Sequence, residues 1–158
     1  MPSSSLDTEF IVNAGVEHSI VLAELHFRSF PEAAWDSKSI SRILFQETSR
    51  GLIYCISGVP IGFVIWQEVV GEAEILTICI DPEWRGKKYS RALIEKMLFF
   101  LKQCKVSKLF LEVSEDNFTA ISLYSNVGFK EVGRRLKYYH KTNGELVDAI
   151  VMQLNIMQ

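Results

Sequence analysis

Three cysteines, three histidines, no long apolar run and almost no charge imbalance are what this sequence offers, and each shortage removes a class of answer. Cys55, Cys79 and Cys104 are odd in number and have no paired spacing, which argues against a disulfide framework or a Cys-x-x-Cys motif. All three sit in apolar stretches, so buried, reduced thiols in a cytoplasmic protein are expected. His18, His26 and His140 lie far apart and form no ligand spacing with the cysteines, so no metal site is expected. No stretch reaches the roughly 18 apolar residues that would span a bilayer. The first residues, MPSSSLDTEF, lack the basic segment followed by an apolar one that marks a secretory signal. Net charge is −2, so bulk electrostatics do not draw the chain onto nucleic acid or an anionic membrane. Any basic site has to be local. P-loop, G-x-G-x-x-G and G-x-S-x-G patterns are absent as well.

What is present is a 158-residue chain with 48% apolar and 23% charged residues, enough for a substantial core. One domain over residues 1–158 is expected, with the polar, Ser-rich residues 1–8 a frayed end, and a monomer or weak dimer. No repeat, linker or low-complexity segment interrupts it.

The periodicities predict an α/β chain. Phe10 to Val12 suggest a first strand, and Ile20, Val21, Ala23, Leu25 and Phe27 give a helical stripe from His18 to Phe30. Pro31 ends that helix, because proline disfavours helical backbone in the residue before it. A second helix is predicted with Asp36 or Ser37 as cap and Ile40, Ile43 and Leu44 inward. Strands Leu52–Ile56 and Ile61–Gln67 flank the turn Ser57-Gly58-Val59-Pro60, and a further turn at Gly71 leads into Ile75–Ile80. A long helix follows from Tyr89 to about Cys104, with a stripe through Ala92, Leu93, Lys96, Met97, Phe100, Leu101 and Cys104. Lys108–Val113 reads as a strand covered on both sides. Asn117–Asn126 reads as a short helix stopped by Gly128. Strands near 130–138 and 146–154 close the chain around the turn Thr142-Asn143-Gly144-Glu145.

Three features of the stretch from Ile75 to Phe129 point to chemistry. Arg85, Lys87, Lys88 and Arg91 cluster where the long helix starts, and a helix start offers unpaired amides and a positive dipole end to an anion. Cations oppose that dipole, which hints at an anionic ligand; the alternative is a solvated basic loop offset by Asp81 and Glu83. Glu112 interrupts the apolar LFLEV. It belongs either at a solvent-exposed edge or in a cleft, where desolvation raises a carboxyl towards the range of a base at neutral pH. Asn117, Ala120 and Tyr124 recur at steps of three and four, hence on one helix face; alone, Tyr124 also fits a core tyrosine. Trp35 fits either a packing residue or a substrate wall.

Taken together, these segments resemble the GNAT acetyltransferases, and among them the bacterial enzymes that acetylate the α-amino group of a small-subunit ribosomal protein. The resemblance is carried by ICIDPEW (Ile78 to Trp84), LEVSEDNFTAISLYSNVGF (Leu111 to Phe129), RLKYY (Arg135 to Tyr139) and DAIVM (Asp148 to Met152). It runs from about Ile53 to Leu154, and N-x-x-A-x-x-x-Y-x-x-x-G-F is its most specific part. It implies a mixed, mostly antiparallel central sheet with splayed middle strands and helices on both faces. It implies acetyl-CoA as co-substrate and a peptide or protein N-terminus as partner, with Glu112 as base and Tyr124 as proton donor. Ile78, Cys79 and Ile80, the loop Arg85-Gly86-Lys87-Lys88-Tyr89-Ser90, and Asn117, Ala120 and Tyr124 are then the cofactor contacts. Trp35, Tyr138 and Tyr139 are then the acceptor contacts. The family loop usually reads [QR]-x-x-G-x-[GA]; here Lys88 and Ser90 stand at the two small positions. If the turn demands positive φ at Lys88, the side chain strains it by roughly 1 kcal/mol. Two alternatives stand beside this reading: a GNAT acting on a small amine, and a non-catalytic acetyl-CoA-binding module.

Overall fold

The computed structural model describes residues 7–156. Residues 1–6 of the expected frayed end lie outside the described residues. The other two are tied down: Ser57 donates its amide to the Thr8 carbonyl at 2.8 Å and its hydroxyl to Asp7 at 3.2 Å. The elements in chain order are β1 (Glu9–Asn13), α1 (Ser19–Ser29), α2 (Ser37–Phe45), β2 (Ser49–Ile56), β3 (Val59–Val69), β4 (Glu72–Ile80), α3 (Tyr89–Gln103), β5 (Lys108–Ser114), α4 (Phe118–Val127), β6 (Lys130–His140) and β7 (Leu146–Asn155). The seven strands form one sheet in the order β1-β2-β3-β4-β5-β7-β6. β1 pairs antiparallel with β2, and β7 antiparallel with both β5 and β6, while β4 and β5 are parallel. Among the described residues the parallel ladder covers three register pairs, Glu72–Lys108 to Glu74–Phe110.

Contacts group the chain into two compact units, residues 7–65 with 77–94, and 66–76 with 95–156. The first unit holds β1, α1, α2 and β2, with Leu22, Ile40, Leu52, Ile53 and Phe63 among its buried side chains. Asp36 caps α2 by accepting the Ser39 amide at 2.8 Å. The β2–β3 hairpin turns through Ser57 and Gly58 alone, both at positive φ (49° and 78°), a two-residue turn whose twist suits the flanking strands. Val59 and Pro60 belong to β3, so the four-residue turn read from the sequence is two residues too long. Gly62 allows β3 to approach β4 closely: a Cβ there would lie 2.4 Å from Ile80 Cδ1 and 2.7 Å from the Cys79 carbonyl oxygen.

The second unit packs Met97, Leu101, Leu109, Leu111, Val113, Tyr124, Phe129 and Met152. β5 alternates, with Leu109, Leu111 and Val113 buried and Phe110 and Glu112 half-buried, so it is not covered equally on both sides as its composition suggested. Asn117 caps α4, and Gly128 ends it at φ 118° in the left-handed region that favours glycine. On α3 the buried side chains are Leu93, Ile94, Met97 and Leu101, whereas Lys96 and Cys104 are exposed. Cys104 is therefore a correction: it lies just past the last turn of α3, where the stripe no longer faces the core. Cys55 and Cys79 are buried and free, as expected.

Candidate active site

In the first unit the candidate anion site is built at the end of β4. Asp81 is buried, donates its amide to the Ile61 carbonyl at 2.7 Å and accepts the Glu83 amide at 3.0 Å. Its other carboxylate oxygen holds Arg28 Nη1 at 2.8 Å, and Arg28 Nη2 also lies 3.6 Å from Glu83. The two acids that could have neutralised the basic loop are thus taken by an arginine of α1. Among the described residues Arg85, Lys87 and Lys88 make no ion pair: Arg85 Nε donates to the Ile80 carbonyl at 3.0 Å, and Lys87 Nζ stands 5.4 Å over the Trp84 ring. Lys88 adopts φ 65° beside Gly86 at 81°. The loop does demand a left-handed residue at the position where the sequence has lysine. The Ala92 amide bonds the Lys88 carbonyl, which leaves the Tyr89 and Ser90 amides without an intrahelical acceptor at the start of α3. Unpaired cations, an open glycine and a helix start fit a pyrophosphate.

Ile78 is half-buried, and Cys79 and Ile80 are buried at the end of β4. Burial pushes the Cys79 thiol up to about 12, against smaller opposing effects from the Ser29 hydroxyl and Arg85. It is a packed, inert thiol rather than a nucleophile. Trp35 is half-buried, its indole stacked on the His26 ring with centroids 4.9 Å apart.

In the second unit Glu112 opens on a cleft. Its side chain is 19% exposed and its Oε1 receives Arg135 Nε at 2.8 Å. The cleft, about 280 Å³, is lined by Val69, Ala73, Glu74, Leu111, Glu112 and Val151 among others. Of the two settings open to Glu112 from sequence, the structure gives the cleft. Burial, and then the Glu112 carboxylate beside it, raise the Glu74 carboxyl above its ordinary value, with Arg135 pulling the other way. Tyr139 is half-buried, and its phenol is likewise raised by burial first and by Glu112 second. Tyr124 is buried, edge-on to Phe129 at 5.7 Å, and burial together with nearby Tyr139 pushes its phenol up to about 12. Glu112, Arg135, Tyr139 and Tyr124 therefore make one cluster.

β6 owes its share of this cluster to a bulge. Arg135 pairs with Ala149 and Tyr139 with Val147, so β6 takes four steps where β7 takes two. Lys137 absorbs the excess at φ 51°, and its amide is held by Asp148 at 2.8 Å. The bulge stacks the exposed Tyr138 under the Arg135 guanidinium at 5.1 Å and edge-on to Tyr139 at 5.3 Å. On α4, Asn117 Oδ1 accepts the Ala120 amide at 3.2 Å, so its carbonyl is engaged as a cap and its NH2 group is what it can offer a ligand. Sequence reading gave no role to Arg28, Arg135, Glu74 or His26. Only Arg135 carried a signal, its place in the RLKYY segment.

The profile of the acetyltransferase (GNAT) family matches residues 20–129. The chain belongs to the GNAT family. Its GNAT relatives include the [ribosomal protein bS18]-alanine N-acetyltransferases of Haemophilus influenzae, 42% identical over 92 residues, and of Escherichia coli K12, 39% identical over 100 residues. Those stretches cover 58% and 63% of this chain, and 62% and 67% of the relatives' own length. The crystal structure of the Escherichia coli ribosomal-protein-S18-alanine N-acetyltransferase superposes with a TM-score of 0.90 at 29% identity, covering 96% of each chain. Among the described residues no group of side chains could hold a metal ion, and no helix is long and apolar enough to cross a membrane.

Proposed function

We propose that this GNAT protein transfers an acetyl group from acetyl-CoA to the α-amino group of a protein N-terminus, that of a small-subunit ribosomal protein. The observation that carries the chemistry is the cluster in which Glu112 faces a cleft while Tyr124 keeps a phenol that burial holds protonated. The names of the relatives support the acceptor.

Bound acetyl-CoA supplies a thioester carbonyl as the electrophile. An α-ammonium group has a pKa of about 7.7–8.0 and is mostly protonated at neutral pH. Glu112 takes the proton that makes the amine nucleophilic, directly or through water, and Arg135 has to yield its place on the carboxylate as the amine arrives. A backbone amide around Cys79 or Ile80 would face the thioester oxygen as charge develops on it. When the nitrogen–carbonyl bond has formed and the carbon–sulfur bond breaks, Tyr124 would donate its proton to the sulfur, and the second proton to leave the nitrogen would restore the Tyr124 phenol through water. Arg85 to Ser90 hold the pyrophosphate, and Asn117 and Ala120 the pantetheine arm. Trp35, Tyr138 and Tyr139 contact the acceptor.

A second reading, a small polyamine as acceptor, is favoured by Glu74 beside Glu112 in the same cleft. Free-thiol release with an N-terminal ribosomal peptide and with spermidine separates the two: the peptide is expected to turn over and spermidine not, and the reverse overturns the proposal. In the host, mass spectrometry with and without this gene should show one small-subunit ribosomal protein changing by one acetyl group. Unchanged N-terminal masses on every such protein contradict the acceptor assignment.

A further inference from the structure

His26 is the one buried imidazole among the described residues, 3% exposed, and the proposed reaction makes no use of it. It lies on the inner face of α1, between two pieces of chain to which the acetyl-transfer reading assigns different partners. On one side the Trp35 amide donates to its Nδ1 at 3.0 Å, and the Trp35 indole stacks on its ring at 21° between planes. On the other side its Nε2 lies 3.2 Å from the Thr77 hydroxyl of β4, two residues before Cys79. Phe30, at the start of the loop that carries Trp35, tilts against the same ring at 4.8 Å.

These contacts fix the proton. An Nδ1 that accepts from an amide carries a lone pair, so the ring is the Nε2–H tautomer and donates to Thr77. Burial lowers the imidazole's pKa and keeps it neutral. A charged ring would set an N–H donor against the Trp35 amide.

We propose that neutral His26 is a positioning residue: it ties the loop from Phe30 to Asp36 to strand β4 and holds the Trp35 indole in the orientation that meets the acceptor peptide. The kinetic part rests on the acetyl-transfer reading. The hydrogen-bonded loop does not. A residue of this kind governs how the acceptor is held and leaves the cofactor and the proton transfers alone, so its signature is a split between kinetic constants.

The test compares His26→Phe, which keeps a ring and loses both hydrogen bonds, with His26→Asn, whose Oδ1 can replace Nδ1 as acceptor. With a saturating partner substrate, His26→Phe is expected to raise the peptide KM about tenfold, the loss of one well-formed hydrogen bond expressed as a ratio. The acetyl-CoA KM should stay within about twofold, and His26→Asn should recover most of the peptide KM. Equal rises in both KM values, or no recovery in His26→Asn, overturn the proposal. Should His26→Phe fail to fold, long-range proton–nitrogen spectra of the wild-type protein decide. The Nε2–H pattern with a protected Trp35 amide is expected, and an Nδ1–H or charged ring overturns it. A wild-type protein that acetylates no peptide defeats the acetyl-transfer reading, and the spectra still report on the loop.

Discussion

Tyr124 is protonated where the proposed reaction needs a donor, and the same fact links it to stability. The phenols of Tyr124 and Tyr54 are raised from 10.0 to about 12, and the Cys79 thiol from 9.0 to about 12. In each case the folded chain holds its proton more tightly than the unfolded chain. The stabilisation is therefore complete below the unfolded values and is lost as pH rises from 9 towards 12. Urea unfolding between pH 8 and 11 should show stability level at first and then falling, with a shallower fall in Tyr124→Phe. An ultraviolet titration in which Tyr124 ionises at the ordinary tyrosine value contradicts this. Lys88 offers a second residue-scale prediction. At φ 65° any side chain with a Cβ is strained, so Lys88→Gly should be more stable than Lys88→Ala by about 1 kcal/mol, although both lose the same charge. Equal stabilities in chemical denaturation would show that the turn stores no strain.

At the scale of elements, one residue caps α4 and, in the proposed function, also serves the cofactor arm. Asn117 caps the helix through Oδ1 and has only its NH2 group left for the cofactor arm. Asn117→Ala should cost about 1 kcal/mol of stability, the usual worth of a cap, and weaken acetyl-CoA binding as well. Asn117→Asp keeps the cap and should be as stable as wild type while still binding acetyl-CoA more weakly. Wild-type affinity in Asn117→Asp, measured by calorimetry, removes the side-chain amide from the cofactor site. This helix was legible in the sequence because its signals are local, three- and four-residue spacing and Gly128 at the stop; that Asn117 stands before the helix as its cap, not on its face, came from the structure. β5 was legible as a strand, and the Glu in it as an interruption that its residues alone left open between a solvent edge and a cleft. The bulge in β6 was not, since no residue from Leu136 to Tyr138 announces that Lys137 takes positive φ, and the bulge is what places Arg135 and Tyr138. Nor was Gly62 marked; its missing Cβ matters only because β4 runs against it.

Over the whole molecule, periodicity gave an α/β chain, and the resemblance carried by the spaced motif implied the mixed sheet and the family; the parallel pairing of β4 with β5 came only from the structure. They could not give pairings between residues far apart in the chain. Four cations near a helix start looked, on charge alone, like a solvated loop balanced by Asp81 and Glu83. The fold instead hands both acids to Arg28 from α1 and leaves Arg85, Lys87 and Lys88 without a carboxylate partner among the described residues. Glu112 was ambiguous for the same reason, because the residues that make its surroundings a cleft come from β3, β4 and β7. Chain order hides such groupings, and a charge count cannot recover them.

The central claim is that Glu112 removes the acceptor's proton. Its most direct test is the turnover of an N-terminal ribosomal peptide by Glu112→Gln at saturating acetyl-CoA, followed by free-thiol release. Glutamine keeps the shape of the side chain and cannot take the proton, so turnover should fall by about 10²–10⁴-fold, with acetyl-CoA affinity unchanged by calorimetry. Turnover at the wild-type rate would contradict the account.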